Sequence, residues 1–503
     1  MTDTFAALRQ RVMSPRDRKL LDELNATTAQ LAQLALSPPV GTPAAENRAR
    51  ILGLEAQKER LEVELGDHST ELRARLQPVT LEAVRSAIPG DAALLEFVVF
   101  RPFDPRAERN AEAYGARHYA AYVLRREGAP TGVDLGPVTV IDEATDAMRA
   151  ALRDPSRSDL QWRARDLDER VMRPLRESIG DATRLLISAD GALNLVPFEA
   201  LVNEHGRYLI DRFAMSYLTS GRDLLRMQVA RLPRTEPVIV ADPVFGEPAS
   251  ANGERAIRKP VVLRTQTRSI TTGEDPSTMY FAPLGATAEE ARAIKALFPD
   301  ARLFTGVRAT KAAIQQLEAP RMLHIASHGF FLQDAAGDPV PVATAGSASP
   351  TRGVSANTKV ENPLLRSGLA LAGANLNHDR ARDGILTALE ASGLNLWGTK
   401  LVTLSACDTG VGEVRNGEGV YGLRRAFVLA GAETLVMSLW PVSDYIGREM
   451  MVAYYTGLRA GLGRGDALRQ AKLEMLKRKG RQHPFYWASF IQSGEWASLD
   501  GQR

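Results

Sequence analysis

The 503-residue chain has one cysteine, Cys407. A lone thiol excludes an intramolecular disulfide framework and fits a reducing compartment, so a cytoplasmic location is expected. Long apolar runs are also missing. No stretch reaches the roughly eighteen residues of a membrane-spanning helix, and no membrane partner is expected. The opening Met1-Thr-Asp-Thr-Phe leads straight into charged sequence, without an apolar targeting region. Excess charge is lacking too. A net charge of +3 is far from the dense basic face that nucleic acid selects, so direct nucleic-acid binding is not expected. No self-similar period of about 34 residues occurs, which excludes a helical repeat array within the chain. What is present is ordinary globular composition, 44% hydrophobic and 24% charged, at a length that calls for two or three domains. Arginine greatly outnumbers lysine, and Ala, Gly and Pro are plentiful, which points to a GC-rich bacterial genome.

Four regions follow from the pattern. Residues 1–78 read as a helical hairpin, with helices over 16–36 and 46–76. Leu20, Leu24, Leu31 and Leu34 share one face of the first, and Ile51, Leu54, Leu61 and Leu65 share one face of the second. Ser37-Pro-Pro-Val-Gly-Thr-Pro43 separates them. Residues 79–245 alternate strands and helices and read as an α/β unit with a largely parallel sheet. Strands are expected at Ala92–Phe100, His118–Arg125, Arg184–Ser188 and Val238–Ala241. Residues 246–283 carry no period and read as a mobile connection. Residues 284–497 form a second α/β unit. Here Thr287 is expected to cap the helix Ala288–Phe298, with Glu290 completing a capping box. Strands follow at His324–Ser327, Gly368–Ala372, Lys400–Ala406 and Thr434–Leu439, and Gly419–Leu429 reads as a helix. Phe485-Tyr-Trp487 reads as core beside a last edge strand, and the polar segment 333–362 as a long functional loop, a lid or a self-processing site.

Two strand tips carry chemistry. Leu401-Val-Thr-Leu-Ser-Ala-Cys407-Asp-Thr-Gly410 delivers the thiol into a turn, and Leu323-His-Ile-Ala-Ser-His328-Gly329 delivers an imidazole into another. Open α/β sheets place their sites at such tips. Cysteine with histidine is the minimum set for a thiol nucleophile and its base. The backbone N–H groups of Gly329 and Cys407 are candidates for an oxyanion hole. A bland reading stands beside each. A free cysteine is often a small buried hydrophobe, and His328 fits a core histidine satisfied by backbone, although Gly329 speaks for an open turn. His324 and His328 also form an H-x-x-x-H pair. A zinc peptidase would need glutamate after the first histidine, and Ile325 stands there. Asn416-Gly-Glu-Gly419 lacks the ending of a phosphate loop and reads as loop plus helix cap. For substrate, Ser438, Trp440 and Asp408 are the candidate pocket residues. Asp408 either attracts a basic residue or, as favoured, caps its turn.

The two tips resemble the signature blocks of CHAT domains. So do Asn362-Pro-Leu-Leu-Arg-Ser-Gly-Leu-Ala370, Gly419-Val-Tyr-Gly-Leu-Arg-Arg-Ala-Phe427, Ala430-Gly-Ala and Ser438-Leu-Trp-Pro-Val442, with Ile187-Ser-Ala-Asp-Gly-Ala-Leu-Asn-Leu-Val-Pro-Phe198 upstream. CHAT domains are caspase-like, related to separases and often joined to tetratricopeptide repeats. The resemblance implies a caspase-like α/β fold in two parts, an upstream pseudo-caspase half (79–245) and a catalytic half (284–497). It implies Cys407 as nucleophile, His328 as general acid/base, and the Gly329 and Cys407 amides as oxyanion donors, with no cofactor. The implied activity is regulated cleavage of a partner protein, gasdermin-like or another effector, in bacterial antiphage or stress defence. The chain departs from the pattern in its plain N-terminal hairpin, which leaves sensing to a separate activating protein or to sequence beyond this chain. The alternative from another class is a catalytically silent scaffold for protein–protein interaction.

Overall fold

The computed structural model describes residues 15–36, 44–67, 79–107, 113–229, 231–246, 269–270, 280–332, 363–376, 384–406, 413–415 and 419–502. Cys407, Asp408 and the segment 333–362 lie outside these residues, as does most of the connection 246–283.

The described strands are β1 (Ala92–Phe100), β2 (His118–Arg125), β3 (Thr131–Pro137), β4 (Arg184–Ser188), β5 (Ala214–Leu218), β6 (Val238–Pro243), β7 (Ser269–Ile270), β8 (Arg302–Gly306) and β9 (Met322–Ala326). They continue with β10 (Gly329–Phe331), β11 (Ser367–Ala370), β12 (Ile385–Thr387), β13 (Leu401–Ser405), β14 (Glu413–Arg415), β15 (Gly419–Tyr421), β16 (Thr434–Ser438) and β17 (Phe490–Gly494). Eleven of them form one mixed, mostly parallel sheet in the order β3-β2-β1-β4-β5-β17-β16-β13-β9-β6-β8. The two expected α/β units join edge to edge in it. β1, β4 and β5 run parallel as one block, and β16, β13, β9, β6 and β8 as another. β17 pairs antiparallel with β16 and parallel with β5, so the blocks run in opposite directions. Inner strands β5, β9, β13, β16 and β17 are buried along their whole length, whereas edge strands β3 and β8 are half-exposed. Continuous apolar runs such as Leu401–Leu404 suit a sheet covered on both faces.

Helices flank the sheet by burying one stripe. In Val138–Leu152, Val138, Ile141, Ala144, Met148 and Leu152 face the core; in Asp444–Arg459, Ile446, Met450, Met451, Tyr454 and Leu458 do. A smaller sheet, β12-β11-β10-β7, stands beside the large one, and β14 and β15 form a separate hairpin. The N-terminal hairpin forms from helices Pro15–Leu36 and Ala44–Asp67, with Leu20, Leu24 and Leu61 packed together.

Four local expectations are corrected. Thr287 lies inside its helix (Thr287–Leu297), and its hydroxyl donates to the Leu284 carbonyl rather than capping; Glu290 turns to His324 instead. The capping box lies at Thr387 and Glu390, ahead of the helix Ala388–Ser392. The expected helix at Gly419 begins only at Leu423, after β15. The last strand is central, because β16 and β5 flank it on both sides. In addition, β6, grouped by sequence with the upstream unit, pairs with β8 and β9 in the downstream block.

Candidate functional site

β9 and β13 are parallel neighbours in register, Ala326 opposite Ser405. Adjacent strands lie about 4.8 Å apart, so the two chains leave the sheet side by side. His328 follows Ala326 by two residues, and Cys407 follows Ser405 by two. On the β13 side the last described residue is Ala406, buried at 2% exposure; its carbonyl accepts the Ser438 hydroxyl at 2.7 Å. That bond ties the tip of β13 to β16.

His328 is 2% exposed. Its Nε2 lies 2.7 Å from the Ala282 carbonyl oxygen. A carbonyl only accepts, so Nε2 carries the hydrogen, and in the neutral ring Nδ1 holds the lone pair. The ring sits beside Phe245 and Phe281, with centroids 5.3 and 5.8 Å away. Asn375, which sequence reasoning missed, fixes the segment that carries Ala282. Its Oδ1 accepts Phe281 N–H at 2.8 Å, and its Nδ2 donates to the carbonyls of Phe281 at 2.8 Å and Gly246 at 3.1 Å. Phe245 is delivered from β6 through Asp242, which adopts a left-handed φ of 49°, a conformation aspartate tolerates better than most residues. Ala282, Phe245 and Asn375 are distant from His328 in sequence and carry no motif that would single them out.

Gly329 opens β10. His328, opposite Ala370, and Leu332, opposite Arg366, exchange backbone bonds with the β11 side: Ala370 N–H donates to the His328 carbonyl at 3.0 Å, and Leu332 N–H to the Arg366 carbonyl at 2.8 Å. Antiparallel pairing alternates, so Gly329, opposite Leu369, directs its N–H away from β11, toward the side where β7 runs. The Ser327 hydroxyl donates to the Ala370 carbonyl and closes the turn.

The remaining candidates fall elsewhere. His324 is buried in a network of its own: Nε2 is 3.1 Å from Glu290 Oε1, Nδ1 is 3.1 Å from the Tyr455 hydroxyl, and that hydroxyl donates to Thr403 Oγ1 at 3.0 Å. Burial pushes the Tyr455 hydroxyl well up from its ordinary value, which keeps it protonated. His324 is therefore held inside the core, between Glu290 and Tyr455, rather than at the strand tip. Ser438 is fully buried on Ala406, and Trp440 is 2% exposed with its indole N–H donating to the Phe485 carbonyl at 3.2 Å. Both side chains are engaged within the protein. A groove of about 730 Å³ lies among helices Thr287–Leu297, Asp444–Arg459 and Arg464–Lys477 and does not include His328. Its rim charges pair with one another, Arg448 with Glu289 and Arg478 with Glu449. Among the described residues no helix is long and apolar enough to cross a membrane.

The family model for the CHAT domain matches residues 161–495. The chain belongs to the CHAT domain family. Tetratricopeptide repeat protein 28 of Homo sapiens is 24% identical over 328 residues, covering 64% of this chain and 12% of the relative; the Mus musculus protein of the same name matches to the same extent. The CHAT chain thus spans about an eighth of the length of these relatives. Among solved structures, the Saccharomyces cerevisiae separase–securin complex aligns with 96% of this chain and 27% of that one, at 10% identity and a TM-score of 0.35. The Arg-specific cysteine proteinase gingipain R aligns with 72% of this chain and 74% of that one, at 9% identity and a TM-score of 0.36.

Proposed function

We propose that this CHAT protein is a cysteine endopeptidase of the caspase-like type, with Cys407 as nucleophile and His328 as general acid/base. The observation that carries the reading is the register of β9 and β13, together with an imidazole anchored through Nε2 on the Ala282 carbonyl. A free thiol near pKa 8.5 is only about 3% thiolate at pH 7, so a base beside it matters. His328 Nδ1 takes the Cys407 proton as sulfur attacks the scissile carbonyl, and the C=O electron pair moves onto oxygen. The N–H groups of Gly329 and Cys407 hold that oxyanion. Collapse breaks the C–N bond while His328 returns its proton to the departing amine. Water, deprotonated by His328, then adds to the thioester; the C–S bond breaks and the thiol is restored. The substrate is a partner protein, gasdermin-like or another effector, and cleavage is a regulated switch in bacterial defence against phage or stress, exerted in the cytoplasm.

The test is a proteome-wide profile of new N-termini generated by wild type and by Cys407→Ala, each with candidate activating proteins present. Cuts found only with wild type are expected. Full proteolytic activity of Cys407→Ala on the same sites would end the assignment. A thiol-reactive peptide probe should label the wild type at Cys407; a silent scaffold would stay unlabelled with every activator tried.

A further inference from the structure

The N-terminal hairpin touches the protein next to the strand that holds His328. Leu31 and Ala32 are 0% and 2% exposed, packed against Leu365 and Leu389, each 2% exposed, with Ile51, Leu54 and Leu364 around them. Leu20, Leu24 and Leu61 pack together within the hairpin. Among the described residues, this patch is the apolar cluster that joins the hairpin to the rest of the chain.

The place of that patch in the chain is informative. Leu365 ends the short turn Pro363–Leu365 and stands two residues before β11. Leu389 stands two residues after β12. The hairpin therefore grips the β11–β12 pair at both of its chain ends. β11 in turn holds the histidine segment: Arg366 accepts from Leu332 at 2.8 Å, Ala370 donates to the His328 carbonyl at 3.0 Å and accepts from Ser327. A four-stranded sheet of two- to four-residue strands is too short to fix its own geometry in water and depends on what packs against it. Burial of a whole leucine side chain is stabilising enough for Leu31 to bias such a small element.

We propose that Leu31 and Ala32 are positioning residues for His328: by seating Leu365 and Leu389 they set the β11–β12 pair, and β11 sets the backbone of His328. The hairpin is then the input through which cleavage is raised or lowered. This rests on the reading of His328 as the base of a cysteine protease.

The experiment uses the full chain and its single thiol, with Leu31→Asp as the releasing variant and Leu31→Ala as the milder one should the first not fold. Hydrogen exchange is followed over 15–36, 328–332 and 366–371, and iodoacetamide alkylation of Cys407 is followed against pH. Release of the hairpin should speed exchange at 328–332 by about ten-fold or more, as a local opening does. It should also move the pH midpoint of alkylation toward that of an ordinary thiol and slow alkylation at pH 7 by about five-fold. Unchanged exchange at 328–332 with residues 15–36 released would overturn the coupling, and continued protection of 15–36 in both variants would overturn the docking. If wild-type Cys407 still alkylates as an ordinary thiol and cuts nothing with every candidate activating protein present, the protease reading fails; exchange at 328–332 still reports on the coupling by itself.

Discussion

His328 is oriented by a backbone carbonyl, that of Ala282. A carbonyl does not titrate and cannot be deleted by truncating a side chain, so the residue open to mutation is Asn375, which clamps the Phe281–Ala282 segment from both sides. Asn375→Ala leaves a buried Phe281 N–H and carbonyl unmatched, at about 1–3 kcal/mol of stability. It also lets the acceptor drift by a fraction of an ångström. The expected result is a roughly 10- to 100-fold lower kcat with KM little changed, measured on whichever substrate the cleavage profile yields. The sequence singles out Cys407, His328 and Gly329 as candidates because glycine turns after apolar runs are local signals; of these the structure describes His328 and Gly329. Ala282, Phe245 and Asn375 were not legible, since each reaches the imidazole only through tertiary packing. Trp440, a candidate pocket residue, is buried, with its indole N–H donating to the Phe485 carbonyl.

Elements were read from periodicity, and it succeeded where apolar runs were long. β1, β2 and β4 stand at the expected residues. Errors fell where a short signal had two physical outlets. Thr287-Ala-Glu-Glu290 fits a capping box, but His324 outcompetes the backbone for Glu290. A buried strand at residues 490–494 looks the same from sequence whether it is central or at an edge, because neighbours are set by topology. The short helix Pro484–Trp487 that leads into it carries a titratable cap: His483 Nδ1 accepts the Phe485 N–H at 3.1 Å. Burial holds this imidazole below its ordinary value near 6.5, with the Asp154 charge opposing. The unfolded chain therefore binds the proton first on acidification. Stability is complete above about pH 6.5 and is lost as pH falls below it. Urea midpoints at pH 7.5 and 5.5 should differ, and His483→Asn, which keeps a cap acceptor, should remove that part of the difference.

Over the whole molecule, both α/β units share one sheet, and buried charge crosses their junction. Lys472 of the helix Arg464–Lys477 donates to Glu199 at 2.9 Å, and the Tyr217 hydroxyl of β5 donates to the other Glu199 oxygen at 2.7 Å. Lys472→Met strands a buried carboxylate and should cost about 3–5 kcal/mol. Because the sheet is continuous, that loss should lower a single unfolding transition, with tryptophan fluorescence and far-ultraviolet circular dichroism superimposing. Two separated transitions would show that the halves fold independently. The composition pointed to multiple units but could not show that they merge, since β5 and β17 meet across a sequence separation no local pattern records. That seam also dictates an order of events during synthesis. β17 follows every other described strand in the chain, so until residues 490–494 have left the ribosome, β5 and β16 face each other as two open, mostly apolar edges. Such edges invite pairing with other chains. The nascent polypeptide is thus aggregation-prone until β17 emerges, and a chain truncated before residue 490 would yield a sticky, split sheet rather than a merely weakened fold.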